Sequence, residues 1–143
     1  MTNDKWQRAN DKEQMTNEQK VNLFIVTLYH GTDITSALDI LNNGLNVKQL
    51  QAKQKRPLQL GLGWYAALES EVAEFFGSLA TNITGEHYTI IQMSLAQVDL
   101  DYLFMTNQAR QEAIANVHFV AEQIWFSPTC FDFLNERATF SPY

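Results

Sequence analysis

A single carboxylate in an apolar strand is the most informative chemical feature of this sequence. Residues 118–126 read as a strand, and alternation puts Glu122 on one face with three apolar side chains, Val120, Ile124 and Phe126. A lone glutamate on such a face is costly unless it is paired or lies at the edge of a pocket. The pattern therefore predicts a functional carboxylate. Two structural alternatives stay open: a strand exposed at this point, or a salt bridge to Arg110 or Arg137.

Two further polar motifs stand beside predicted strands. His30-Gly31-Thr32 ends a β-rich apolar run, and Tyr65 closes the segment GLGWY at residues 61–65. Taken alone, His30 is typical of a structural, hydrogen-bonding histidine, and Gly31 is typical of a turn that permits close backbone approach. Tyr65 alone is typical of an aromatic residue that favours a strand. Each motif is weak by itself, so their combination has to carry any functional interpretation.

Hydrophobic periodicity predicts the elements that must position these residues. The predicted strands cover residues 23–29, 62–67, 87–95 and 118–126, and the predicted helices cover 34–41, a segment starting at Ser70, 107–117 and 130–137. Thr32 or Asp33 is predicted to cap the first helix, Gly44 to follow its end, and residues 45–60 to form a polar, basic loop. Strands and helices interleave without the regular spacing of parallel crossovers, so the predicted class is α+β.

Length and composition limit the alternatives. The chain of 143 residues fits one domain, predicted over residues 21–143 after a polar lead-in at 1–20 that is frayed or disordered. The lone Cys130 excludes an internal disulfide and a multi-cysteine zinc site, and no metal is expected. No signal peptide or spanning segment is apparent, so a cytoplasmic protein without membrane contact is expected.

Taken together, the motifs resemble a known family. Tyr29-His30-Gly31-Thr32, the GLGWY segment and Glu122-Gln123-Ile124-Trp125-Phe126 look like the three motifs of the ADP-ribosyltransferases, in the family's order. The closer branch is the histidine–tyrosine–glutamate one, which contains diphtheria toxin and the poly(ADP-ribose) polymerases. The resemblance implies a split antiparallel β-sheet core with flanking short helices.

The resemblance also implies how NAD would be bound. His30 would hydrogen-bond the adenosine ribose, with Thr32 completing the same NAD-binding motif. The backbone of Gly31 would pair with the nicotinamide carboxamide. Tyr65 and Phe76, which lies eleven positions later, would sandwich the nicotinamide ring.

Glu122 would complete the catalytic set with His30 and Tyr65 by binding the 2′-hydroxyl of the nicotinamide ribose. Breaking the bond between ribose and nicotinamide builds positive charge on the sugar, as in glycoside hydrolysis. A fixed carboxylate stabilises that charge and can orient or help to deprotonate the incoming nucleophile. NAD is thereby consumed as a co-substrate.

Charge adds one further candidate. The net charge of −6 argues against broad, nonspecific nucleic-acid binding. Yet four of the ten basic residues fall within nine positions: Lys48, Lys53, Lys55 and Arg56. This cluster is either a solvated loop or a local anion site. In the resemblance, residues 47–60 correspond to the donor loop, so Lys53, Lys55 and Arg56 would approach the NAD diphosphate.

The sequence departs from the family pattern at three positions. Ala73 stands where the polymerase branch often carries a serine that contacts the carboxamide, a contact for which Ser70 is a candidate substitute. Phe76 keeps the stacking ring but lacks a hydroxyl. Val120 stands where arginine-modifying relatives carry Glu or Gln, so arginine is not the expected acceptor.

The predicted function is transfer of single ADP-ribose units to a protein or nucleic acid by a bacterial type of toxin or effector. An antitoxin or immunity protein is the partner expected of such a toxin. Three alternatives stay open: an NAD-dependent RNA 2′-phosphotransferase, a non-catalytic module of the same fold that binds NAD or ADP-ribose, and a plain α+β interaction domain.

Overall fold

The computed structural model of the chain describes residues 24–53, 62–85, 87–115 and 120–143. The predicted lead-in therefore lies outside the described residues. The strands are β1 (Ile25–Asp33), β2 (Trp64–Ala67), β3 (Tyr88–Ala96), β4 (Ala109–Ala115), β5 (Val120–Phe126) and β6 (Thr139–Pro142). The helices are α1 (Ile34–Asn43), α2 (Val47–Lys53), α3 (Ser70–Thr84), α4 (Gln97–Met105) and α5 (Phe131–Arg137), with a 3₁₀ turn at Pro128–Cys130. None of the described helices is long and apolar enough to cross a membrane.

The strands form one antiparallel sheet in the order β4-β5-β2-β1-β3-β6, so the predicted α+β class is confirmed. β1 pairs with β3 along its whole length, from Ile25 opposite Ala96 to Asp33 opposite Tyr88. By contrast, β1 pairs with β2 at one position only, Tyr29 opposite Ala67. The sheet thus consists of two three-stranded halves that are joined by a single residue pair.

The main core lies on one face of this sheet. Leu28, Met93 and Phe126 are fully buried there, because alternation points them to the same side and helices α1, α4 and α5 cover them. Removal of this apolar surface from water is the principal force that holds the layers together.

Helix α3 packs against the opposite face, and its contact with β1 is unusually close. A Cβ atom added at Gly31 would lie 1.9 Å from the carbonyl oxygen of Ala73 and 2.8 Å from the backbone nitrogen of Gly77. The turn predicted at Gly31 was wrong, since β1 continues to Asp33 and Gly31 pairs with Ile90. The close backbone approach is present nonetheless, and its partner is the backbone of a helix.

The ends of α1 follow the sequence signals. The Asp33 carboxylate accepts a hydrogen bond from the backbone N–H of Ser36 at 2.7 Å, so Asp33 rather than Thr32 is the cap. Gly44 follows the helix at φ +78°, and its N–H donates to the carbonyl of Ile40.

Two predictions about elements were wrong, and two elements were missed. Residues 107–117, predicted as a helix, contain strand β4, because pairing with β5 overrides the helix propensity of the segment. The predicted loop at 45–60 contains helix α2. Helix α4 and strand β6 were not predicted at all.

Candidate functional site

The three strands that carry the sequence motifs are neighbours in the sheet. β2 lies between β1 and β5, although the three strands are widely separated along the chain. His30, Tyr65 and Glu122 consequently occupy three adjacent strands.

Register decides which of these side chains share a face. Tyr29 is opposite Ala67, so alternation puts His30 on the other face, with Trp64. Trp64 is in turn opposite Phe126, whose face Glu122 shares. His30 and Glu122 thus lie on the core face.

The opposite face carries Tyr65 and Gly31, beneath helix α3. The catalytic trio predicted from the sequence is therefore distributed over both faces of the sheet. A ligand that contacts all three side chains therefore has to reach both faces of the sheet. The gap where β1 and β2 separate is the place where it could do so.

The His30 imidazole makes a hydrogen bond across this line. Its Nδ1 lies 2.6 Å from the carbonyl oxygen of Tyr65. Burial lowers the pKa of His30 to about 4, against the opposing effects of this bond and of the Asp33 carboxylate. The ring is therefore neutral near pH 7. Because a carbonyl only accepts, Nδ1 holds the single proton and Nε2 is left as an acceptor.

A cavity of about 230 Å³ opens beside His30. It lies between the end of β1, helix α1, the start of α2 and β2. Its described lining contains the polar side chains of Thr32, Asp39 and Asn46 and the apolar side chains of Ile40 and Trp64, but no Lys or Arg. Such a cavity suits an uncharged ligand with both an apolar ring and hydrogen-bonding groups.

One wall of this first cavity is held by a side-chain amide. Asn135 accepts a hydrogen bond from the Leu45 N–H at 2.8 Å through Oδ1 and donates to the Leu45 carbonyl at 2.9 Å through Nδ2. This pair of bonds fixes the segment after α1 against α5.

Glu122 lies in a second cavity, of about 190 Å³, at the far end of β2. The cavity is lined by Leu68, Glu69, Val72 and Glu122. The Glu122 carboxylate is exposed and accepts a hydrogen bond from Gln111 Nε2 at 3.3 Å. The first structural alternative named for Glu122 therefore applies, because the strand is open to solvent here. The carboxylate also lies at a pocket edge, as the functional interpretation requires.

The arginines named as alternative partners are engaged elsewhere. Arg137 forms an ion pair with Asp99 at 3.4 Å. The guanidinium of Arg110 lies 5.9 Å from the centre of the Trp125 ring. The described contacts therefore leave Gln111 as the hydrogen-bond donor to Glu122.

The predicted stacking residues lie on or beneath α3. Tyr65 is half-buried, and Phe76 is half-buried one helical turn after Val72, on the same side of α3. The Phe76 ring contacts Phe75 edge to face at 5.1 Å. Phe76 thus lies on the stripe of α3 that reaches the Glu122 cavity.

The basic residues named for the diphosphate fall outside this description. Lys55 and Arg56 belong to residues that the structure does not describe, and Lys53 ends α2 without a described side chain. Their predicted role stays a prediction.

No family model, curated protein or solved structure matches this chain.

Sequence reasoning missed two residues of the site region. Trp64 is 3% exposed, lines the first cavity and packs against His30 with ring centres 4.5 Å apart and the ring planes tilted by 32°. Glu112, 5% exposed on β4, has an Oε2 atom without a hydrogen-bond partner in the described structure, and burial raises the pKa of this carboxyl. The position of Trp64 inside the GLGWY motif could have indicated that it belongs to the site. Nothing in the sequence indicated a buried Glu112, because its segment reads as a helix.

Proposed function

We propose that this protein is a mono-ADP-ribosyltransferase that cleaves the nicotinamide–ribose bond of NAD and transfers ADP-ribose to a macromolecular acceptor. The observation that carries the proposal is the adjacency of β1, β2 and β5 in the sheet. The three motifs of the family resemblance belong to these strands and to no others, so distant parts of the sequence meet where the resemblance requires it.

The first cavity is the proposed site of the adenosine half of NAD. A neutral His30 with Nε2 as acceptor can receive a hydrogen bond from a ribose hydroxyl. The apolar wall of Ile40 and Trp64 can contact a flat base, and the Asp39 carboxylate can accept from an amino or hydroxyl group. Without Lys or Arg in its described lining, the cavity suits the nucleoside better than the phosphates.

The second cavity is the proposed site of bond cleavage. The Glu122 carboxylate there can stabilise the positive charge that develops on the ribose as nicotinamide leaves. Trp64 of the first lining begins β2, and Leu68 of the second lining follows its last residue, so the two are four residues apart, or roughly 13 Å at about 3.3 Å per residue. This spacing is within the reach of an elongated ligand such as NAD.

The nicotinamide ring is proposed to lie at the line where β1 and β2 separate. Gly31 and Tyr65 flank this line on the face of the sheet that α3 covers, whereas His30 and Glu122 belong to the core face. Because the strands are paired only at Tyr29 and Ala67, a flat ring can approach the backbone of Gly31 from the side of β2.

The decisive experiment measures nicotinamide release from NAD by the full chain. We expect Glu122→Gln to reduce the rate by about 10²-fold or more, since removal of one group that stabilises developing charge typically has an effect of this size. Glu136→Gln, on the exposed side of α5, is the matched control and keeps the full rate. Full activity in Glu122→Gln would refute the assigned role.

A separate experiment identifies the acceptor: mass spectrometry of cell extract incubated with NAD and the protein locates the added ADP-ribose.

A non-catalytic module that binds NAD or ADP-ribose is the second candidate. The exposure of Glu122, and its position on the opposite face from Tyr65, favour this alternative. Calorimetry that detects NAD binding, combined with no nicotinamide release in the presence of cell extract, would establish it in place of the enzyme.

A further inference from the structure

The residue before the motif tyrosine makes contacts that link the sheet to the first cavity. Trp64 begins β2, and its indole is 3% exposed on the core face. Its ring centre lies 4.5 Å from that of His30, with 32° between the planes, and 6.0 Å from each of Phe126 and Phe140. Trp64 is therefore packed between the core and the imidazole.

On the side of β2, the backbone gives His30 little lateral support, whereas on the other side His30 is paired with Ile91 of β3. The pairing of β1 with β2 ends at Tyr29, so the imidazole itself makes the next contact between these strands. A single hydrogen bond from Nδ1 to the Tyr65 carbonyl fixes one atom of the ring, but the ring can still rotate about that bond. Contact with the face of the Trp64 indole removes this freedom and fixes the plane of the imidazole.

The indole is held by packing rather than by hydrogen bonding. Its Nε1 atom is buried and has no hydrogen-bond partner in the described structure. A buried donor without a partner is itself unfavourable, so the N–H does not hold the indole in place. Loss of this N–H is therefore harmless to the packing, whereas loss of the aromatic face is not.

We infer that Trp64 is a positioning residue that holds His30 with its Nε2 directed to the cavity for a ribose hydroxyl. The ribose part of this inference rests on the proposed function, whereas the contact between the two rings does not. Neither the sequence motifs nor the family resemblance gives Trp64 a role.

The electrostatic surroundings of His30 make the contact measurable. Asp33 favours the charged imidazolium, and Asp39 lines the same cavity. An aromatic face also attracts a cation. Burial outweighs these effects and keeps the ring neutral. A smaller aliphatic side chain at position 64 admits water to the imidazole, so the charged form becomes easier to reach.

The test is an NMR titration of His30 in the full chain, assigned by the signal lost in His30→Gln. In Trp64→Leu we expect the His30 pKa to rise by one unit or more and the share of the Nδ1–H tautomer to fall. Trp64→Phe retains a ring face and keeps the titration of the natural protein.

Kinetics with NAD connects the contact to the proposed reaction. Because the contact acts on binding of the adenosine half, Trp64→Leu raises KM for NAD by about tenfold and changes kcat by less than about twofold.

If Trp64→Leu does not fold, Trp64→Met, which retains more buried volume, takes its place with the same expectations. An unchanged titration of His30 in the folded variant overturns the inference. If the natural chain neither binds nor cleaves NAD, the proposed function fails, and the titration still decides whether Trp64 positions His30.

Discussion

At the scale of single residues, the neutrality of His30 makes stability depend on pH. Burial lowers its pKa to about 4, from 6.5 in the unfolded chain. As the pH falls from 6.5 towards 4, the unfolded chain takes up a proton that the folded protein does not, so the folded state loses stability. We expect a loss on the order of 2 kcal/mol over this range. Urea unfolding at several pH values measures it.

Two variants isolate the contribution of His30 from that of the carboxylates. His30→Gln should reduce the change in the free energy of unfolding between pH 6.5 and 5, where few carboxylates titrate. His87→Gln removes an imidazole that is exposed on the surface and serves as the control for the loss of a histidine. If stability depends on pH equally in the natural protein and in His30→Gln, the His30 imidazole is not buried as described.

The sequence predicted the positions of the candidate residues better than their surroundings. Alternation correctly placed Glu122 on the face of Ile124 and Phe126. It could not show that this end of β5 is exposed, because exposure depends on how the loop from β2 to α3 covers the strand. Glu112 escaped notice because its burial results from sheet pairing, which a local pattern does not encode.

At the scale of elements, the contact between α3 and β1 predicts opposite outcomes for two glycines. Gly31→Ala places a methyl group against the backbone of Ala73, which has to move, so we expect a loss of about 1–3 kcal/mol. At Gly77 an added Cβ meets Tyr88 and Gly31 at 3.1–3.3 Å, a smaller conflict. Gly77→Ala also gains about 1 kcal/mol of helix propensity, so its net change should be within about 1 kcal/mol.

Chemical denaturation of the two variants compares these costs directly. If Gly31→Ala is as stable as the natural protein, helix α3 does not lie as close to β1 as the structure has it. If Gly77→Ala loses more stability than Gly31→Ala, the tighter contact is the one between Gly77 and Tyr88 instead.

The wrong predictions of elements have a common physical origin. Residues 109–115 read ARQEAIA, a composition that favours a helix, yet the segment forms β4 because β5 offers seven pairing positions beside it. Helix α2 was missed because its residues are mostly polar, although Val47 and Leu50 pack against the core. Strong apolar patterns predicted β1, β3 and α1 correctly, because their periodicity and their burial agree.

At the scale of the whole molecule, helix α3 connects the two halves of the sheet. It packs on β1 and β3 in one half and on β2 and β5 in the other. A ligand that occupies both proposed cavities would span the same line. Binding to the folded protein alone should therefore stabilise the domain as a unit.

Thermal unfolding in the presence of NAD measures this effect. At a concentration of NAD one hundred times its Kd, we expect a stabilisation of about 2.7 kcal/mol and a rise in Tm of a few degrees. His30→Ala should reduce the shift at the same concentration by weakening the adenosine subsite. A shift that is identical in His30→Ala would place the ligand elsewhere.

The single pair between Tyr29 and Ala67 has a consequence for the way the domain comes apart. Each half of the sheet keeps its own ladder of backbone hydrogen bonds when this junction breaks, so the junction is the weakest boundary between cooperative units. Partial opening would detach β2, β5 and β4 together, while β1, β3 and β6 stay assembled. Because α3 crosses the boundary, its departure from Gly31 would be the event that releases one half from the other.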